Sequence, residues 1–145
     1  SGVALERLCA FATALGAEPH VMTASAHDRL MAFVSHVPQL TASALMQIVG
    51  EAVGVEGLQL AGRGLVDTTR LAASRSVIWR DIGVTNADEI GVALDALIGL
   101  LQDLRTDLGS GARLADVFDA AREWRTALMK DRPRTRSAAP ADGSI

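Results

Sequence analysis

Aromatic side chains are nearly absent from this 145-residue sequence, which has no Tyr, two Trp and three Phe. Rings therefore cannot fill its interior. Nearly half of the residues, 49%, are apolar, enough for a sizeable core. That core must be built from Ala, Leu, Val, Ile and Met, which suits close-packed helices. Cys9 is the only cysteine, which excludes an intrachain disulfide and fits a reducing, cytoplasmic setting. No apolar run reaches ~18 residues, so no membrane span is expected. The N-terminus shows no basic stretch followed by a long apolar one, so no signal peptide is expected. The net charge of −3 argues against nucleic acid or an anionic membrane as the main partner. Ser1-Gly2 is compatible with the scar of a cleaved tag on an excised piece of a longer protein.

Several chemical signatures are missing as well. Three histidines invite a metal site, but His27 and His36 fall on opposite sides of one predicted helix and His20 precedes it. No His-x₃-His or Cys-rich spacing exists, so no metal is expected. There is no GxGxxG or GxxxxGK[ST] loop, and Gly62-Arg63-Gly64 is too short to cradle a phosphate. The GxSxG elbow of a serine hydrolase is absent too.

What is present reads as helix after helix. Leu5, Leu8, Phe11 and Leu15 recur at helical spacing over Val3–Leu15, with Gly16 as the stop. Ser25 is placed to cap a second helix, Ala26 to about Val49, in which Pro38 predicts a kink because it cannot bond to the Val34 carbonyl and clashes with it. Gly50, Gly54 and Gly57 mark a loop zone. Helices are predicted over Leu65–Ala73 and Ser76–Val84. Asn86 is expected to cap a long helix to Leu108, striped by Ile90, Leu94, Leu97, Leu101 and Leu104. An amphipathic helix from Ala112 to Lys130 follows, carrying Leu114, Val117, Phe118, Trp124 and Leu128. Residues 132–145, rich in Arg, Ser, Ala and Pro, read as a disordered tail. Its basic residues Arg132, Arg134 and Arg136, with Lys130, fit a solvated end better than a nucleic-acid arm. The expected fold class is all-α, a bundle of about six helices with one long kinked helix.

Polar residues inside apolar helices carry the functional signal, because burying them unpaired is costly. Asp28, Ser35 and Gln39 fall within ~40° of one another on an ideal helix. They form either a functional polar stripe or a solvated face. Asp67, Arg70 and Ser74 share a face by their three- and four-residue steps. Arg70 could pair with Asp67 and keep donors for a carboxylate ligand; the competing reading is an ordinary surface ion pair. Trp79, among so few aromatics, reads as a core anchor. Arg80 and Asp81, adjacent on a helix, are expected to have separate partners.

The order of these pieces resembles one family. Leu15-Gly16-Ala17, His27-Asp28, Ser35-His36-Val37-Pro38-Gln39, Gly62-Arg63-Gly64, Asp67-Thr68-Thr69-Arg70, Trp79-Arg80-Asp81-Ile82 and Asn86 follow one another as in prephenate/arogenate dehydrogenases. No single piece is diagnostic; the ordered set, over about residues 3–108, is specific. The resemblance implies an NAD(P)-dependent oxidative decarboxylation in tyrosine biosynthesis. It also implies a helical domain that dimerises through intertwined long helices and contributes to substrate binding. The family's catalytic His and Ser, and its cofactor site, lie in an N-terminal nucleotide-binding domain. By this reading residues 1–22 are a remnant of that domain's last helix and edge strand, and residues 23–131 are the helical domain. The chain alone then has no catalytic residue, binds no NAD or NADP, and is not expected to turn over substrate.

Carried over position by position, Arg70 matches the arginine that holds a substrate carboxylate, with Asp67, Ser74 and Trp79 beside it and Gly62 and Gly64 in the glycine-rich turn. Asp28 matches an acid of the ionic network. His36 matches a structural hydrogen-bonder, and Arg80 and Asp81 belong to the same structural set. Gln39 departs from the pattern, since the family often has a histidine there facing the substrate side chain. The amide both donates and accepts, so a keto side chain (prephenate) and an amino one (arogenate) both stay open. Two other readings compete. One is a non-catalytic helical dimerisation or ligand-binding module. The other, a chorismate-mutase-like helical enzyme, lacks the separated basic residues its pocket needs.

Overall fold

The computed structural model describes residues 2–130. Ser1 and the predicted tail lie outside the described residues. Helix α1 (Gly2–Ala14) ends as predicted at Gly16, whose φ of +82° reverses the chain. There the N–H of Ala17 bonds to the Ala12 carbonyl (3.0 Å) and that of Gly16 to the Thr13 carbonyl (2.9 Å), closing a Schellman motif. Residues 17–23 have no regular structure.

Helix α2 (Ala24–Met31) begins two residues earlier than predicted, because Thr23 rather than Ser25 is its cap. The Thr23 hydroxyl accepts the Ala26 N–H at 3.1 Å, satisfying one of the first-turn donors. The bend expected from Pro38 takes a specific form. A π-helical turn, Ala32–His36, joins α2 to α3 (Val37–Leu58), and the Val37 N–H bonds back to Ala32, five residues away. Pro38 then sits in the first turn of α3, where a missing N–H does no harm.

The predicted glycine loop shrinks to one point. Gly50 is helical, and only Gly54 leaves the helical region (φ 63°, ψ −175°). The chain then folds so closely that a Cβ on Gly57 would lie 2.5 Å from the Val53 Cβ. Next come α4 (Arg63–Thr68), a 3₁₀ turn (Arg70–Ala73), α5 (Ser76–Thr85), α6 (Ala87–Asp107) and α7 (Ala112–Lys130). With α2, the π turn and α3 taken as one bent rod, the described residues form the six-helix, all-α architecture expected.

The chain divides after Ala96 into two compact units. The first unit holds a small apolar centre. Ala32 of the π turn packs with Ile90 and Ala93 of α6, and Val37, Leu40, Ile82 and Leu94 lean on it. Among the described residues, the sizeable core that the composition allows is not seen. Apart from this centre, Ala42 is the one other fully buried apolar residue among those described. Leu8 and Phe11 of α1, Ile48 and Val55 of α3, and Val77 and Ile78 of α5 all face outward.

In the second unit, the turn between α6 and α7 is built by one carboxylate. Asp107 accepts the Arg113 N–H at 2.7 Å and the Leu114 N–H at 3.4 Å, and also the Ser110 hydroxyl. It caps α7 from outside the helix, while Gly111 (φ +73°) makes the reversal. The Ser110 hydrogen bond, helped by the two backbone donors and the Arg113 charge, holds the Asp107 carboxyl below its ordinary 3.8. A depressed carboxyl stabilises the fold above its unfolded value and loses that contribution as pH falls through the folded one. Hydrogen exchange tests the cap. Asp107→Ala should deprotect the Arg113 and Leu114 amides at neutral pH, and the unaltered chain should lose the same protection as pH falls below 3.8. Unchanged protection in the variant would show that α7 is capped otherwise.

Candidate functional site

Two side-chain amides organise the first unit. Gln39, 5% exposed on α3, donates from Nε2 to the Leu71 carbonyl (2.7 Å) and to Ser43 Oγ (3.2 Å). Its Oε1 accepts the Ser74 hydroxyl at 3.1 Å. A carbonyl can only accept, so the contact with Leu71 fixes which end of the amide is nitrogen. Both Nε2 hydrogens are thereby engaged. Two of the contacts leave α3, one landing inside the 3₁₀ turn that begins at Arg70, at Leu71, and one on Ser74, which follows it.

The second amide belongs to Asn86. Its side chain does not cap α6 as predicted. It turns back instead, donating to the Asp28 carbonyl (2.9 Å) and lying 3.3 Å from His36 Nδ1. Since Nδ2 only donates, Nδ1 of His36 must accept, which puts the ring proton on Nε2. The same ring meets Trp79 of α5 edge-on at 6.0 Å. The Asp28 carboxylate also meets His27 Nδ1 at 3.1 Å, an exposed contact between chain neighbours outside this group. His36, Trp79, Asn86 and Asp28 thus form one connected structural network.

The predicted Asp67–Arg70–Ser74 face does not form. Helix α4 stops at Thr68, Thr69 adopts φ −96° and ψ 7°, and Ser74 is extended (φ −69°, ψ 148°). The Thr69 hydroxyl bonds back to the Leu65 carbonyl at 2.7 Å and closes the helix end. Asp67 and Arg70 are both exposed and make no ion pair with each other among the described residues. Arg80 and Asp81, expected to have separate partners, meet each other at 3.5 Å on the surface, a contact of little energetic weight. Asp28, Ser35 and Gln39 do not make a common stripe, because the π turn intervenes.

Gly62 precedes α4 in extended conformation and Gly64 is inside its first turn. A Cβ at either would meet nothing within 4 Å, so packing within the chain does not require glycine there. A groove of about 570 Å³ lies elsewhere, between α1 and the 17–23 segment, and includes Leu8, Pro19, Val21 and Met22 but neither Arg70 nor Gln39. No group of three or more metal-ligating side chains occurs among the described residues.

Residues 23–118 match the family model of the prephenate dehydrogenase dimerization domain. The chain belongs to this family. A cyclohexadienyl dehydrogenase of Zymomonas mobilis is 32% identical over 125 residues, covering 81% of the chain. The chain spans 42% of that relative's length. The solved Synechocystis arogenate dehydrogenase superposes with a TM-score of 0.77 over 88% of the chain and 48% of its own, at 20% identity, a likeness of fold. The A. aeolicus prephenate dehydrogenase, solved with hydroxyphenyl propionate and NAD⁺, gives a TM-score of 0.67 at 26% identity, over 75% of this chain and 40% of its own.

Within this prephenate dehydrogenase-type domain, sequence reasoning missed Leu71 and Thr69 as parts of the Arg70 turn, and Ser43 as a partner of Gln39 on α3. Only the Gln39–Ser43 pair, four residues apart on one helix, left a readable signal. The role of the Leu71 carbonyl depends on a tertiary contact. Asn86 was in view, but its cross-chain bonds were not. Removing them leaves the His36 Nδ1 without this donor and the Asp28 carbonyl with the Ala32 N–H alone. Asn86→Ala should therefore cost about 1–3 kcal/mol of stability. Asn86→Asp, which sets a carboxylate against a carbonyl, should cost more. Urea unfolding measures both, and an unchanged midpoint for Asn86→Ala would remove Asn86 from the network.

Proposed function

We propose that this domain is the dimerisation and substrate-binding half of a prephenate or arogenate dehydrogenase, an enzyme that oxidatively decarboxylates its substrate with NAD or NADP in tyrosine biosynthesis. The observation that carries the substrate side is Arg70. Its side chain is exposed and without an ion-pair partner among the described residues, while its backbone is fixed on a turn held to α3. An arginine so presented has its guanidinium fork available for a carboxylate. Asp67, Ser74 and Trp79 lie near it in the chain, and Gly62 and Gly64 add no side chain that could crowd a ligand. His36, Asp28, Arg80 and Asp81 belong to the supporting structure.

By this reading the nicotinamide and the general base belong to a nucleotide-binding domain, and residues 1–22 are its last helix and edge strand. The apolar face of α1, with Leu8 and Phe11 exposed, supports this, since such a face is normally covered. An isolated edge segment is not expected to form a strand without its sheet. The lone cysteine fits a cytoplasmic setting, and no described helix is long and apolar enough to cross a membrane. A homodimer accounts for the rest of the outward apolar surface, on α3, α5 and α7, where Trp124 is 77% exposed.

Two measurements test these claims. Arg70→Ala in the full-length enzyme should raise KM by about tenfold to a hundredfold, the worth of hydrogen bonds to a charged group, with kcat little changed. An unchanged KM removes Arg70 from the site. Light scattering of the 145-residue chain should give twice its 15.2 kDa mass, and a monomer at micromolar concentration would sink the dimer.

A further inference from the structure

We infer that Gln39 is a positioning residue for Arg70, not a donor that reads the substrate's side chain. The inference rests on the reading of Arg70 as the carboxylate anchor. Arg70 has no side-chain partner among the described residues, so its location is set by its backbone. That backbone is pinned on both sides. Thr69 is tied back to α4 through the Leu65 carbonyl, by its N–H (2.9 Å) and its hydroxyl (2.7 Å). Leu71, the next residue after Arg70, is tied to α3 by Gln39 Nε2 at 2.7 Å. The Leu71 carbonyl also accepts the Ser74 N–H at 3.1 Å, so both of its lone pairs are engaged. Gln39 Oε1 then takes the Ser74 hydroxyl at the far end of the turn.

One buried amide therefore spans the 3₁₀ turn from the residue after Arg70 to the residue that ends it. Its donors are saturated, by Leu71 and Ser43. A donor-saturated amide has no hydrogen left for a keto oxygen. Discrimination between a keto and an amino side chain therefore does not come from donation by Gln39. What Gln39 controls is where the guanidinium starts from, and so how well the substrate carboxylate is held.

A double-mutant cycle in the full-length enzyme separates the possibilities, with KM and kcat measured for both prephenate and arogenate. Gln39→Met keeps the length and removes the amide. It should raise KM for both substrates by the same factor, roughly five- to tenfold, with kcat nearly unchanged, as for the loss of about one hydrogen bond. In an Arg70→Ala background the same substitution should raise KM no further, since it acts through the missing group. Gln39→Asn, which draws the amide back by one methylene, should give the same pattern and serves if Gln39→Met does not fold. Ser43→Ala, which removes a partner outside the turn, should leave KM unchanged. A changed preference between the two substrates, or effects of Gln39 and Arg70 that multiply, overturns the inference. If Arg70→Ala itself leaves KM unchanged, the anchor reading falls first and this inference with it. If Arg70→Ala raises KM and neither Gln39 variant does, only the inference falls.

Discussion

Proline 38 sets the geometry on which the first unit depends. Its nitrogen carries no hydrogen, and its ring cannot sit against the preceding turn of a regular helix. The chain answers with a π turn over Ala32–His36, where the Val37 N–H reaches back five residues. That wider turn buries Ala32 against Ile90 and Ala93, directs His36 toward Trp79 and Asn86, and brings Gln39 inward at the start of α3. Each of these contacts joins segments far apart in the chain, and at this chain length each depends on the extra residue that the wide turn takes up.

Hydrogen bonds carry much of the tertiary specificity because the apolar centre is so small. Among the described residues Ala32, Ala42 and Ala93 bury little surface each, Ile90 is the one larger apolar side chain buried with them, and Val37, Leu40, Ile82 and Leu94 are only partly covered. Against that background, the Asn86–Asp28 bond spans 58 positions and the Gln39–Ser74 bond spans 35. A half-buried amide with two partners fixes direction as well as distance, which alanine contacts do not. The apolar residues that composition provides are displayed on outer faces of α1, α3, α5 and α7. A chain with this distribution is organised inside by polar clamps and leaves its hydrophobic area for other surfaces.

Much of this was legible in the sequence, and the failures have physical causes. Periodicity located the helical segments, Gly16 and the Pro38 bend were placed by local chemistry, and the ordered motifs gave the family. The π turn was not visible, because hydrophobic spacing assumes 3.6 residues per turn and a single wide turn shifts the phase after it. For the same reason Asp28, Ser35 and Gln39 looked aligned. The Asp67–Arg70–Ser74 face failed because Thr69 leaves helical geometry, its hydroxyl closing α4 early. Asn86 has the chemistry of a cap, and only the folded chain offers it the stronger pairing with Asp28 and His36. Composition allows a sizeable core but does not say which surface covers the apolar residues, and among the described residues few are buried.

The π turn also has a bearing on how this domain can vary among its relatives. A π turn takes up one residue more than an α turn while completing the same single revolution. Deleting one residue between Ala32 and His36 would let the segment close as an ordinary α turn with α3 close to its present phase, so Gln39 would stay beside Leu71. The loss would fall on the turn itself, on how Ala32 is buried and where His36 points. This stretch therefore absorbs a one-residue change of length within its own turn, whereas the same change further along α3 would rotate everything beyond it by about 100°.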